Sequence, residues 1–266
     1  MKMIAACPAG VNPMDSTQTY DSLADVYDLM YPASSPDIKD AVDFLARMCP
    51  EGGKVLEFGV GSGRLAVPLA QRGFEVHGVD GSQRMLDKLA ERDTDARVRA
   101  FAADFTKVST GETYDVVFIA LNTLFALHTA AQQVECVTRM REHLAPGGRV
   151  VIEAFDPMPY HQQQGEHTST RYLSPTSVML DSSHVVRTQQ LVLVIHTVLD
   201  GTVPRPTQEI LRYAWPSEID LMARIAGLRL VRRTAGWREE PYDEKSDRHI
   251  SVYAVDDVKD QGSSGS

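Results

Sequence analysis

The 266-residue chain carries 27 Lys and Arg against 36 Asp and Glu, a formal net charge of -9, and 43% hydrophobic residues. That balance disfavours a nucleic-acid partner, whose binding depends on Lys and Arg displacing counterions, while the length suits one α/β domain with an insertion. Cys7, Cys49 and Cys136 show no disulfide or zinc spacing, residues 1–10 lack a secretory signal's apolar stretch, and no window nears the roughly 18 apolar residues a membrane span needs, so a cytoplasmic protein is expected.

Residues 1–18, with Pro8, Gly10, Asn12 and Pro13, read as a flexible leader, and 259–266 as a flexible tail. Lys54–Val60 is a short apolar run, followed by a glycine-rich turn and then apolar residues at helical spacing. The alternation recurs at Glu75–Val79 with Ser82–Glu91, and at Tyr114–Leu121 with Ala130–Leu144; Arg149–Phe155 adds another strand after Pro146-Gly147-Gly148. Repeated βα units imply an α/β fold, a doubly wound, mostly parallel Rossmann-like sheet with helices on both faces. The pattern then changes. Ser183–Asp200 and Thr207–Trp215 read as antiparallel strands, a helix is expected at Glu218–Ala226 between a Ser217 cap and Gly227, and closing strands fall near Arg229–Thr234 and His249–Val255. The division expected is a core over 19–156, an antiparallel acceptor-binding cap over 157–215, and the end of the core over 216–258.

The strongest chemical signal is Glu57-Phe58-Gly59-Val60-Gly61-Ser62-Gly63, an acidic residue two positions before a GxGxG turn. Gly59, Gly61 and Gly63 let a cofactor lie against the main chain, where the next helix presents N–H groups. Arg64 stands where the dinucleotide fingerprint GxGxxG needs glycine, which favours S-adenosylmethionine over NAD. Glu57 is then placed to hold the amino group of the methionine part. Asp80 ends the second strand, where a carboxylate can accept both ribose hydroxyls, with Gly81 and Met85 bordering the nucleoside, unless Met85 is core packing. Asp104 and Phe105 follow the strand Val98–Ala102, positioned to bind and cover an adenine.

The stretches VLEFGVGSGRLAVPLAQRGFEVHGVDGSQRMLDKLAER, AADF, YDVVFIALNTLFAL and HLAPGGRVVIEAF resemble class I S-adenosylmethionine-dependent methyltransferases over roughly residues 20–156. The resemblance implies a seven-stranded sheet whose last strand is reversed. Tyr20-Asp21 followed by Tyr27-Asp28 resembles the N-terminal helix of small-molecule and amino-sugar N-methyltransferases, which implies that Tyr20 and Tyr27 close over the cofactor; simple packing of a helix on the core is the alternative. Asn122-Thr123-Leu124-Phe125, Glu218–Leu228 and Glu240-Pro241-Tyr242 are similar to the cypemycin N-terminal methyltransferase type.

Methyl transfer mainly requires alignment and desolvation of the acceptor, because the cofactor already carries a good leaving group. His128, just past the fourth strand, is the candidate base, against the commoner case of a surface histidine. Leu121 is expected at the cofactor, and Asn122, Tyr160, Trp215 and Tyr242 at the acceptor. Glu153 and His196 are further lining candidates. Asp156-Pro157-Met158-Pro159-Tyr160 departs from the base-methylating motif at Met158 and by following the fifth strand. No His or acidic spacing suggests a metal. The expectation is methylation of nitrogen or oxygen of a small specialised metabolite in natural product biosynthesis, with a peptide α-amine as the alternative acceptor. An NAD-dependent oxidoreductase and a non-catalytic nucleoside-binding protein stand as readings of another class. Exposed strands of the cap are where homo-oligomers would pair.

Overall fold

Apolar runs of five or six residues, each followed by an amphipathic segment, leave the chain little choice but to stack strands side by side and cover both faces with helices. The computed structural model describes residues 16–32 and 34–256 and builds this arrangement in two sheets. Helices α1 (Ser16–Met30) and α2 (Pro36–Met48) come first, then β1 (Lys54–Phe58), α3 (Ala66–Gln71), β2 (Glu75–Asp80), α4 (Gln83–Arg92), β3 (Val98–Ala102), β4 (Tyr114–Ile119), α5 (Ala130–Glu142) and β5 (Leu144–Phe155). A short α6 (Met158–Gln162) leads into β6 (His167–Ser174), β7 (Ser177–Val186), β8 (Leu191–Leu199) and β9 (Arg205–Arg212). The core resumes with α7 (Pro216–Ile225), β10 (Leu228–Thr234) and β11 (Arg248–Val255).

The main sheet runs β10-β11-β5-β4-β1-β2-β3, with β11 antiparallel to both neighbours and β1 to β5 parallel, so the last strand is the reversed one. Alternate residues feed two cores. Leu56, Phe58, Val117 and Ile119 pack with Val137, Met140 and Met222 of α5 and α7; Val55, Val116 and Phe118 pack on the other face with Val42, Phe44 and Leu69 of α2 and α3. Local signals fix the helix ends: Pro36 opens α2, Ser82 caps α4 by accepting from Met85 N, and Thr129 with Gln132 forms a capping box on α5.

The second sheet, β6-β7-β8-β9, is antiparallel and inserted between β5 and α7. Within Ser183–Asp200, which reads as one strand in sequence, the chain reverses through a 3-10 turn at Arg187–Gln189, with Gln190 at φ 57°. Strand β6 goes unseen in sequence because HTSTRYLS lacks apolar alternation. The expected Ser217 cap is also corrected: α7 starts at Pro216 with Trp215 preceding it, and no side chain caps it. Strand β5 starts at Leu144 rather than Arg149, because the glycine turn is absorbed as a register shift against β4. The expected leader over 1–18 lies outside the described residues as far as 15, and α1 already includes Ser16 to Gln18; the tail over 259–266 lies outside them altogether. No helix among the described residues is long and apolar enough to cross a membrane.

Candidate active site

A cavity of about 590 Å³ opens at the carboxyl ends of β1, β2 and β3, beside the point where strand order reverses between β1 and β4. Gly59 and Gly61, at φ +76° and +53°, form its floor, a backbone region that residues with a Cβ enter at a cost. A Cβ on Gly59 would stand 2.4 Å from Thr123 Cγ2, and one on Gly61 3.2 Å from Met85 Cε. Asp80 closes the side. Its Oδ2 accepts from Gly61 N at 2.8 Å and its Oδ1 from Ser82 N at 2.9 Å, leaving further lone pairs for hydroxyls. Burial pushes the Asp80 carboxyl up to about 6, although backbone donors from Ser82, Gly61 and Gly81 pull against it. Gly81, Met85, Asp104, Phe105 and His128 complete the far end. Asp104 is half-exposed, accepting from Thr106 and pairing with Lys107 at 3.0 Å.

Behind the turn, Glu57 is 4% exposed, and its Oε2 has no hydrogen-bond partner. Burial drives its carboxyl well above the usual range, with Arg64 pulling it down. An orphaned carboxylate oxygen there, next to a glycine cradle and the Asp80 carboxyl, suits a hydroxyl-bearing ligand with a cationic amino group. Gly63 serves differently from its neighbours: it does not line the cavity, and a Cβ there would collide with Val67 at 2.8 Å, so it lets α3 and α4 pack against the turn. Gly59→Ala combines a strained φ with overlap of a wall residue. It should lower unfolding free energy by about 2–4 kcal/mol, read from urea midpoints; wild-type stability would show that Thr123 can move aside.

Helix α1 roofs this cavity because its acidic face is stitched to α4. Ser82 Oγ donates to Asp21 at 2.5 Å, Arg84 to Asp25 at 2.7 Å and Arg92 to Asp28 at 2.7 Å, while Ser62 Oγ reaches Asp28 at 2.8 Å. On its other side Thr19 Oγ1 donates to the Gln208 carbonyl and Tyr20 to Glu209, both at 3.0 Å. Tyr20 and Tyr27 therefore face inward, and with Thr123 they are shared by a second cavity of about 820 Å³ between α1, the end of β4 and the inserted sheet. Burial raises both phenols, so they stay protonated.

The second cavity begins at Leu121 and Asn122, consecutive non-glycine residues at φ +50° and +65°. Such a pair persists only where its surroundings hold it. Leu121 N donates to Glu153 Oε2 at 2.8 Å, and Asn122 Oδ1 accepts from Phe155 N at 2.6 Å. Glu153, itself buried, is held by Trp237 Nε1 at 3.0 Å and Arg248 at 3.2 Å. Tyr160 packs on Phe155, with centroids 4.9 Å apart and ring planes tilted by 51°, and lines the wall. Opposite, a polar chain crosses the inserted sheet: Arg171 donates to Asp181 at 2.7 Å, His196 Nδ1 to Asp181 at 2.7 Å, and His196 Nε2 to Glu209 at 3.2 Å. Burial alone would strip the His196 proton, but the two carboxylates raise its pKa to about 9.

Leu121 lines the second cavity rather than the first, since its left-handed backbone turns it past the reversal point. His128, the candidate base, lines the first cavity beside Gln132 and donates from Nε2 to the Ile210 carbonyl at 3.0 Å; it does not line the second. Trp215 and Tyr242 line neither. Trp215 packs on His161 and Tyr213, and Tyr242 donates to Asp156 at 2.7 Å, so each ties the cap or the closing strands to the core. Glu153 acts from behind the wall. Sequence reading misses Thr123, Tyr31, Arg171, Asp181 and Glu209, of which only Thr123 sits near a legible motif. Away from both cavities Glu75, His77 and Glu112 converge within 4.8 Å, where Lys54 already pairs with Glu75 at 3.0 Å and Glu112 at 2.7 Å.

Comparison with known proteins gives concordant matches. A family model described as a methyltransferase domain matches residues 55–148. The cypemycin N-terminal methyltransferase of a Streptomyces species is 30% identical over 241 residues, 90% of this chain and 98% of that protein. The solved CcbJ methyltransferase from Streptomyces caelestis is 39% identical, with a TM-score of 0.84 over 91% of this chain and 99% of that one. CalS10 from Micromonospora echinaspora, an amino pentose methyltransferase solved with S-adenosylmethionine bound, shares the fold at 21% identity and TM-score 0.66, covering 86% of this chain and 95% of that one.

Proposed function

The chain belongs to the S-adenosylmethionine-dependent methyltransferases, and from that premise we propose that it methylates an amine nitrogen of a small specialised metabolite in natural product biosynthesis. The observation that carries this reading is the second cavity, which shares Tyr20, Tyr27 and Thr123 with the first and is lined by the partly buried carboxylates of Asp181 and Glu209. Rings from Tyr20, Tyr27, Tyr31, Phe155 and Tyr160 with carboxylates among them form a wall that favours an organic cation before and after transfer. Its volume falls within the range of small-molecule sites.

S-Adenosylmethionine supplies the methyl group as an electrophile and leaves as a neutral thioether. The residues suited to hold it are Asp80 for the ribose, Glu57 for the amino group, Phe105 and Met85 around the adenine and Gly59 and Gly61 beneath. The protein's part is alignment, exclusion of water by α1 and the cap, and keeping the attacking nitrogen unprotonated. A peptide α-amine is the second reading, favoured by the 30% identity to the cypemycin enzyme across nearly its whole length. The family places NAD-dependent hydride transfer out of consideration.

The test is transfer from labelled cofactor to paired acceptors: a dTDP-amino sugar and a tetrapeptide with a free α-amine, each beside its N-acetyl form, and the corresponding hydroxy sugar. N-methylation of one free amine with no transfer to its acetylated partner is expected. A methyl ether as the main product would sink the nitrogen reading, and preference for the tetrapeptide would favour the second.

A further inference from the structure

The polar chain in the inserted sheet is more elaborate than packing requires. Five groups from five elements, Tyr20 of α1, Glu209 of β9, His196 of β8, Asp181 of β7 and Arg171 of β6, are joined by consecutive contacts of 3.0, 3.2, 2.7 and 2.7 Å. Placing a buried imidazole between two partly buried carboxylates is unfavourable unless each group is paired, and apolar residues of the same volume often stabilise a protein as well or better. The chain also ends at a functional place, because Tyr20 belongs to the wall shared by the two cavities. Asp181 is paired with two cationic partners, Arg171 and His196. Among the described residues Glu209 is paired with one cation, His196, and with the neutral Tyr20 phenol, so its charge is the less compensated.

We infer that Glu209 is the proton acceptor for an amine bound in the second cavity, reached through the Tyr20 hydroxyl and held in position by His196, Asp181 and Arg171. The inference rests on the nitrogen-acceptor reading above. An ammonium N–H bond breaks as its proton passes to the Tyr20 oxygen, the Tyr20 O–H proton passes to Glu209 Oε1, and the nitrogen keeps the electron pair with which it attacks. Tyr20 ends as it began, a phenol, and Glu209 ends as a carboxylic acid that returns its proton to solvent after product leaves. His196 is a positioning residue: it donates from both nitrogens and cannot accept the proton itself. The charged and titratable groups facing Glu209 are Tyr20 and Tyr31 from α1, His196, Asp181 and Arg171 from the neighbouring strands, and Tyr160 from α6.

The experiment is the pH profile of kcat/KM for wild type and Glu209→Gln, using whichever of the dTDP-amino sugar and the tetrapeptide is N-methylated. Near pH 7 the variant should lose about 100-fold, the lower end of general-base effects. As pH rises from 7 to 8.5, still below the loss of the His196 proton, the neutral fraction of the amine grows and the gap should narrow steadily. S-Adenosylhomocysteine affinity should stay near wild type at every pH, since Glu209 does not line the first cavity, and Glu209→Asp should restore part of the activity at pH 7. A loss by the same factor at every pH overturns the relay while leaving the nitrogen reading intact. Methylation of the hydroxy sugar with both amines inert overturns that reading and the relay with it. Should Glu209→Gln fold poorly, Tyr20→Phe removes one hydroxyl and must show the same pH-dependent loss; a pH-independent effect there counts equally against the proposal.

Discussion

Asp80→Ala is expected to weaken S-adenosylhomocysteine binding by at least about 100-fold in a calorimetric titration, with NAD as a control ligand that binds neither protein. Hydrogen bonds to a charged group contribute roughly 1.5–3 kcal/mol each, and Asp80 is positioned to accept two from the ribose. It also fixes the floor of the first cavity, through Gly61 N at 2.8 Å and Ser82 N at 2.9 Å, so its removal frees that backbone. Asp80→Asn keeps one acceptor oxygen and should lose less, about 10-fold. Because burial holds the Asp80 carboxyl near 6 in the unliganded protein, and hydroxyl donors favour its ionised form, binding should strengthen as pH rises from 5 to 7. Equal affinity of wild type and Asp80→Ala would mean that the nucleoside does not sit at the end of β2.

The first cavity, proposed for the cofactor, is legible in the sequence because its requirements are local. A positive φ at Gly59 and Gly61, an acidic residue ending β2 and a strand feeding a helix are each written within about thirty residues. The acceptor half is not, for three physical reasons. Tyr20 and Glu209 meet across 189 positions, a contact that only the finished cap creates. The hairpin between β7 and β8 turns on Gln190, which carries none of the usual turn chemistry, so two strands read as one. Leu121 and Asn122 adopt left-handed backbone where Glu153 and Phe155 on β5 hold them; Asn tolerates that region, but nothing in the sequence marks Leu121 for it. Trp215 and Tyr242 mislead in the opposite sense: aromatic residues next to the cap suit a binding wall, yet both side chains pack or bond toward the closing part of the fold.

Two buried histidines should bend the stability curve in opposite directions, and the acid side is the larger effect. His249 is fully buried on β11, its Nδ1 is 2.8 Å from Ser251 Oγ and its Nε2 has no partner. Burial, with Arg233 nearby, pushes its pKa down from 6.5 to about 3. Between those values the unfolded chain binds the extra proton, so stability falls as pH falls, by about 1.4 kcal/mol per pH unit and up to roughly 5 kcal/mol over the window. His196, raised to about 9, is protonated in the fold where the unfolded chain is neutral. Its contribution, of order 3 kcal/mol, is fully present below pH 6.5 and is lost as pH rises through 9. Asp80 and Glu57, whose carboxyls burial raises, take up protons in the fold first and offset part of the acid slope, so the comparison must be between variants. Urea unfolding at pH 4.5, 6.5 and 8.5 should show His249→Leu losing about one proton's worth of slope on the acid side only, and His196→Gln losing its slope on the alkaline side only. An acid slope unchanged in His249→Leu would mean that His249 accepts a proton in the folded protein, which its surroundings then have to solvate. An alkaline slope unchanged in His196→Gln would mean that the two carboxylates do not share a proton-bearing imidazole, and the positioning of Glu209 by a cation would fail with it.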